Sequence, residues 1–226
     1  GAGVQRWVAD ATQRLLGFTI SIGDDQWRRP SGLPGWSRAH VATHLARNAD
    51  HLRAVVDAAA AGLPQPAQPT AEQRLSSLEA GADRDGLALQ IDLDTSAGAL
   101  QAAVDRVTDW SSPVVVHDRQ VELATVPLVR LHELCVHTLD LDCGFSADAV
   151  DPGAAAWLLR WVLELLADAD LPALRVEGDS LAADVGGTGE RVRVSGSDAR
   201  LWAWLSGRLP ASAVSGADGL QPALLA

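Results

Sequence analysis

The chain has 226 residues, 18 basic against 29 acidic, with a formal net charge of −11 and a pI near 4.8. So acidic a balance excludes wholesale binding to nucleic acid or to an anionic membrane, both of which are gripped through Lys and Arg. With 47 % apolar and 21 % charged residues, the composition is neither that of a disordered chain nor that of a membrane protein, and the length predicts two domains.

Every basic residue is Arg, Met is absent and Asn48 is the sole Asn. Without a Met, Gly1-Ala2-Gly3 reads as a remnant of processing with no structural weight. Val4, Trp7, Val8, Ala11, Leu15 and Phe18 recur at helical spacing and open the fold with an amphipathic helix. Arg6, Asp10 and Arg14 interrupt that pattern, which rules out a secretory or membrane-spanning segment there and predicts a cytoplasmic protein.

A loop with Pro30, Gly32, Pro34 and Gly35 follows, and Ser37 is placed to cap a second helix that runs to about Ala61 and stops at Gly62. Three prolines make residues 63–70 an extended connection. A short helix over Ala71 to Gly81 and a longer one over Ala97 to Trp110 come next. Residues 112–124 predict a hairpin turning at Asp118-Arg119. A helix then starts near Thr125 to Pro127 and ends before Gly144.

Beyond it the pattern changes. Asp151-Pro152-Gly153 begins a helix carrying Trp157, Trp161 and Leu165, residues 174–178 and 191–197 read as strands, and Asp198 to Gly207 forms a last helix. The fold class is therefore α+β, a helical bundle over residues 1–148 followed by a small α/β domain over 149–226. The two cysteines, Cys135 and Cys143, would lie about 12 Å apart on one helix, too far for a disulfide, and reduced thiols suit the cytosol.

His40, His44 and His51 fall within about 40° of one another on the second helix, on the shoulder of its apolar face. Periodicity leaves both His40 and His44 open as ligands. Glu133 and His137, four residues apart, share a face of the helix after the hairpin. Alone they read as a surface ion pair worth about 0.2–0.5 kcal/mol; facing the histidine stripe across a bundle, they complete a His, His, carboxylate set that suits zinc and leaves a position open. Asp140 is placed to orient His137. Cys135 lies about 200° around the helix from Glu133 and reads as a buried thiol. His117 reads as surface, Trp36 as core packing with a cleft wall as the other option, and Gly186-Gly187-Thr188-Gly189 as a strand connection.

The segments GWSRAHVATHLARNADHL (35–52) and RLHELCVHTLD (130–140) closely resemble the mycothiol-dependent maleylpyruvate isomerase family, within the DinB-like metal-binding bundles. The resemblance implies a DinB-like four-helix bundle followed by a sterol-carrier-like α/β domain. It implies zinc, or another divalent metal, on His44, Glu133 and His137, with His40 a neighbour. By similarity Arg74 and Arg208 are catalytic residues of the cleft, Arg208 also serving the thiol cosubstrate. Two positions depart from the family pattern: His132 stands where Arg is usual, and Cys135 where a thiol-free apolar residue is usual. The activity implied is zinc-dependent, mycothiol-using isomerisation of maleylpyruvate to fumarylpyruvate, and the expected unit is a monomer whose partners are a small-molecule substrate and a low-molecular-weight thiol, with no nucleic acid and no membrane. The alternatives are a mycothiol S-transferase acting on another electrophile and a non-catalytic binding protein.

Overall fold

The computed structural model describes residues 2–225. Of the three residues read as a processing remnant, Gly1 lies outside the described residues, whereas Ala2 and Gly3 fall within the first helix. The chain forms two compact units, Gly1–Cys143 and Gly144–Ala226, in an α+β architecture dominated by helices.

In the first unit, α1 (Ala2–Thr19) is followed by the short α2 (Asp24–Trp27), then α3 (Arg38–Ala60), α4 (Ala71–Ala82) and α5 (Gly86–Val104). A hairpin of β1 (Pro113–Val116) and β2 (Arg119–Glu122) leads into α6 (Val126–Asp140). Helix α3 packs on α5 and α6, and α1 packs on the same two, so the four close into a bundle. Its interior is built from Leu15 of α1, Val41, Leu45, Leu52 and Val56 of α3, Leu89 and Leu93 of α5 and Leu131 and Leu134 of α6, each at most 2 % exposed. Burying one such side chain stabilises the fold by about 1.5–3 kcal/mol.

The hairpin turns at His117 and Asp118, one residue earlier than expected, with both in the left-handed region at φ 50° and 58°. Such a pair matches the right-handed twist of the flanking strands. Helix α5 begins eleven residues before the expected Ala97 and ends at Val104 rather than Trp110. Asp85 caps it through the Ala88 N–H, and the N–H of Gly86 donates to Asp24 Oδ1 at 2.8 Å, tying its start to α2. Its apolar residues point both ways, Leu89 and Leu93 inward and Leu87 and Ile91 to solvent, which erased the one-sided period that would have revealed the first half. Cys143 lies past the end of α6, so the two thiols do not share a helix; both are free.

The second unit contains α7 (Pro152–Leu165), β3 (Leu174–Glu177), β4 (Ala182–Val185), β5 (Val192–Ser195) and α8 (Asp198–Leu205). The strand order is β4-β3-β5, with β3 antiparallel to β4 and parallel to β5. Leu174, Val176 and Val194 turn inward from the sheet, while α7 and α8 pack together around the buried Trp161, Trp202 and Trp204. Strand β4, Ala-Ala-Asp-Val, escaped the sequence reading because its residues have little strand preference; pairing with β3 defines it. Among the described residues no helix is long and apolar enough to cross a membrane.

Helix α4 buries only Leu78 and otherwise meets α3 at Gly81, where an added Cβ would overlap the Thr43 side chain. Helix preference favours Ala over Gly by up to about 1 kcal/mol, but forced overlap in a packed contact costs about 1–3 kcal/mol. Gly81→Ala is therefore expected to destabilise the protein in denaturant titration and to speed proteolysis between residues 62 and 84. Equal or greater stability would show that α4 is not seated on Thr43.

Candidate metal centre

The centre grows from the start of α3. Ser37 caps this helix by accepting from the His40 N–H at 3.3 Å, while His40 Nδ1 receives the Ser37 N–H at 3.1 Å and lies 2.7 Å from its hydroxyl. His40 is thus committed to the cap, and its Nε2 sits 3.4 Å from Glu79 Oε2. One turn on, His44 is released from capping and turns its Nε2 to Glu133 Oε2 at 3.0 Å. Of the two histidines that periodicity leaves open, His44 is the one that faces Glu133.

Helix α6 is buried nearly all round, including the ionisable Arg130, His132, Glu133, His137 and Asp140. Its start is favoured by Pro127 in the first turn, where a missing N–H leaves no helical bond unmade. Charged groups in such a place need partners inside the protein. His137 Nδ1 donates to Asp140 Oδ2 at 2.8 Å, which fixes the ring, and His137 Nε2 faces Glu133 Oε2 at 3.4 Å. The His44 and His137 rings meet edge to face, 4.5 Å between centroids. One donor atom from each of His44, Glu133 and His137 lies within 4.8 Å of the other two.

These residues fit a metal ion. His137 Nε2 is sealed from solvent and makes no hydrogen bond, although a carboxylate oxygen lies within ion-pair range. A buried nitrogen aimed at a buried carboxylate, with a second imidazole on the same oxygen, is an arrangement that one shared cation satisfies. Burial alone would push the Glu133 carboxyl up; the neighbouring His137 and His44 imidazoles outweigh that and hold it well below the ordinary carboxylate range. Burial likewise opposes a charged His137, and Asp140 and Glu133 overcome it and raise the imidazole.

Access is from one side. The side chains of Glu133 and His137 are 2 % and 3 % exposed, whereas His44 is 32 % exposed. Trp36 stands beside His44, 5.5 Å between ring centroids, so it walls the centre as well as packing. The loop that carries it is moored to the end of α6: the Gly32 N–H donates to the Asp140 carbonyl at 2.7 Å, and Arg38 donates to the carbonyls of Leu141 and Asp142 at 2.8 and 2.7 Å.

His117 is exposed, as expected, but it is not isolated. The hairpin turn carries its Nε2 to 3.9 Å from Glu133 Oε1, the oxygen away from the other imidazoles. Burial and then His117 lower the nearby His51 imidazole. No spacing in the sequence connects a hairpin turn to α6, so only the tertiary fold reveals this neighbour. Arg130, one turn before Glu133, crosses to α3 and donates through Nη1 to the Leu45 carbonyl and Asn48 Oδ1, both at 2.9 Å. Burial pushes the Cys135 thiol up to about 12, with Arg14 opposing, so it stays protonated.

The two expected arginines are not part of the cluster of three. Arg74 is exposed on the first turn of α4, its Nη1 on the Pro69 carbonyl at 2.6 Å. Arg208 belongs to the second unit, where its Nη1 donates to the Ser206 carbonyl at 2.7 Å and also to that of Leu225.

Two solved structures share this fold, one of the mycothiol-dependent maleylpyruvate isomerase and one of a histidine-to-alanine mutant of it. Each is 20 % identical over 99 % of this chain and 96 % of that chain, with a TM-score of 0.90. No curated protein sequence matches the chain. Residues 8–142, more than half of the chain and including all three clustered side chains, match the family described as the mycothiol maleylpyruvate isomerase N-terminal domain. The chain belongs to that family.

Proposed function

We propose that this chain is a mycothiol-dependent maleylpyruvate isomerase whose His44, Glu133 and His137 hold a divalent metal, zinc by the chemistry of the donors. The convergence of those three side chains in a member of this family carries the reading. A metal bound there supplies the positive charge that ionises a thiol, which free in solution has a pKa of about 8.5. The thiolate adds to the cis double bond of maleylpyruvate, rotation follows about the resulting single bond, and elimination returns the thiolate and releases fumarylpyruvate. No proton or electron is consumed overall.

The chain's own groups prepare this step. Glu133 and His137 form a dry floor, Asp140 fixes the tautomer of His137, and half-open His44 with Trp36 forms the rim at which a thiol enters. Arg74 and Arg208 are assigned to the substrate carboxylates, and Arg208 also to the thiol, on the strength of the sequence resemblance. Guanidinium groups bind carboxylates in bidentate fashion and stabilise an enolate.

With zinc-loaded protein, maleylpyruvate is expected to isomerise with mycothiol present, without net loss of thiol, and far more slowly with glutathione or no thiol. His44→Ala and Glu133→Gln should remove both metal and turnover, whereas His40→Ala should keep them. Equal rates without thiol, or full activity in His44→Ala, would overturn the reading; a stable thiol adduct would mark an S-transferase. Arg74→Ala and Arg208→Ala should raise KM.

Asp140→Asn should weaken metal affinity or activity by about 10- to 100-fold, measured by competition with a chelating dye. Unchanged affinity would show that Asp140 does not tune His137.

Metal removal gives a further expectation with a defined sign. The stabilisation from the lowered Glu133 is complete above its ordinary value of 4.5 and is lost as pH falls through the folded value. That from the raised His137 is complete below its ordinary value of 6.5 and is lost as pH rises through the folded value. Chelator-treated protein should therefore have its highest Tm between these limits, and zinc, which replaces the His137 proton, should flatten the decline on the alkaline side. A metal-free Tm that is level across both limits would refute this.

A further inference from the structure

A second cavity lies away from the three clustered ligands, among α1, α5 and α6, with a volume of about 200 Å³. Its walls are Val8 of α1, Leu100 and Val104 of α5 and Val126 and Pro127 of α6, with Gln13 and Gln101 supplying amides. Arg130 lines it as well, although this residue is only 2 % exposed. We propose that this cavity binds a small organic monocarboxylate, its acid group on Arg130 and its apolar body against α1 and α5.

The argument starts from the guanidinium's unused donors. Nη1 makes both of its bonds to α3, at the Leu45 carbonyl and Asn48. Nε and Nη2 make none among the described residues, and no acid lies at ion-pair distance; Glu133 and Asp50 act on Arg130 only through space. Arg130 is 2 % exposed and lines the cavity, so the cavity is where an acceptor from outside the protein reaches these donors. Burial lowers Arg130 to about 10, against the pull of Glu133 and Asp50, and it remains a cation at neutral pH. A buried, unpaired guanidinium is costly, and a carboxylate held by its planar fork offsets that penalty.

Volume and charge narrow the ligand further. The space is below the roughly 300 Å³ of drug-sized sites and admits on the order of ten non-hydrogen atoms. That excludes a lipid and a nucleotide. Asp94 borders the cavity but is exposed, where water screens it, and it disfavours a second negative charge at the mouth. A monoacid with a short aliphatic or single-ring body fits both limits. The inference is independent of the thiol chemistry, since none of the three clustered ligands lines this space.

Gly98 provides the test. It lines the cavity from α5, and a Cβ built on it meets nothing within 4 Å, so a larger side chain can be placed at the cavity wall without displacing protein. The experiment is calorimetric titration of the intact protein with hexanoate, with hexanol as the neutral control. Hexanoate should bind saturably at one site, and hexanol at least about tenfold more weakly, which is about 1.4 kcal/mol. Gly98→Phe should weaken hexanoate by at least about tenfold with an unchanged circular dichroism spectrum, and Arg130→Met should do the same where it folds. Binding that Gly98→Phe leaves intact, hexanol matching hexanoate, or no binding at all would overturn the proposal.

Discussion

A carboxylate deprived of water has to find its charge partners within the protein, and Glu133 organises the first unit around that need. It is 2 % exposed on a helix buried almost all round, and two imidazoles share one of its oxygens while a third approaches the other. Those imidazoles come from α3, from α6 itself and from the β1–β2 turn, so bundle and hairpin are joined at a single buried charge. Asp140 extends the chain of charge by fixing the ring of His137. The ring of His137 keeps its orientation because Asp140 holds the nitrogen turned away from Glu133.

The arrangement also separates similar side chains by duty. His40 and His44 are four residues apart on one helix, yet the first is held by the Ser37 cap and the second faces the acid. Cys135 shares α6 with two candidate ligands, but burial keeps its thiol protonated. Arg130, one turn from Glu133, leaves the centre and reaches α3.

Much of this could be read in the sequence. The apolar periods of α1 and α3 are one-sided, and the i, i+4 spacing of Glu133 and His137 puts both on one face of α6. What escaped did so for physical reasons. Helix α5 carries Leu87 and Ile91 on its exposed side, so its period dissolves and its first half reads as loop. Strand β4 is made of residues with little preference for extended backbone and exists through its pairing with β3. His117 sits at a turn whose distance from α6 no local pattern encodes. That His40 caps α3 while His44 faces Glu133 rests on a cap bond, which periodicity does not distinguish.

Asp140 acts twice, its carboxylate on the imidazole of His137 and its main-chain carbonyl on Gly32. The proline-rich loop ahead of α3 and the tilt of the His137 ring are in this way geared to one another. Lengthening or shortening that loop would reach the ring by mechanical linkage, without touching any of the three clustered side chains. Anyone transplanting this centre into another bundle would have to move the loop and the end of α6 as a single cassette.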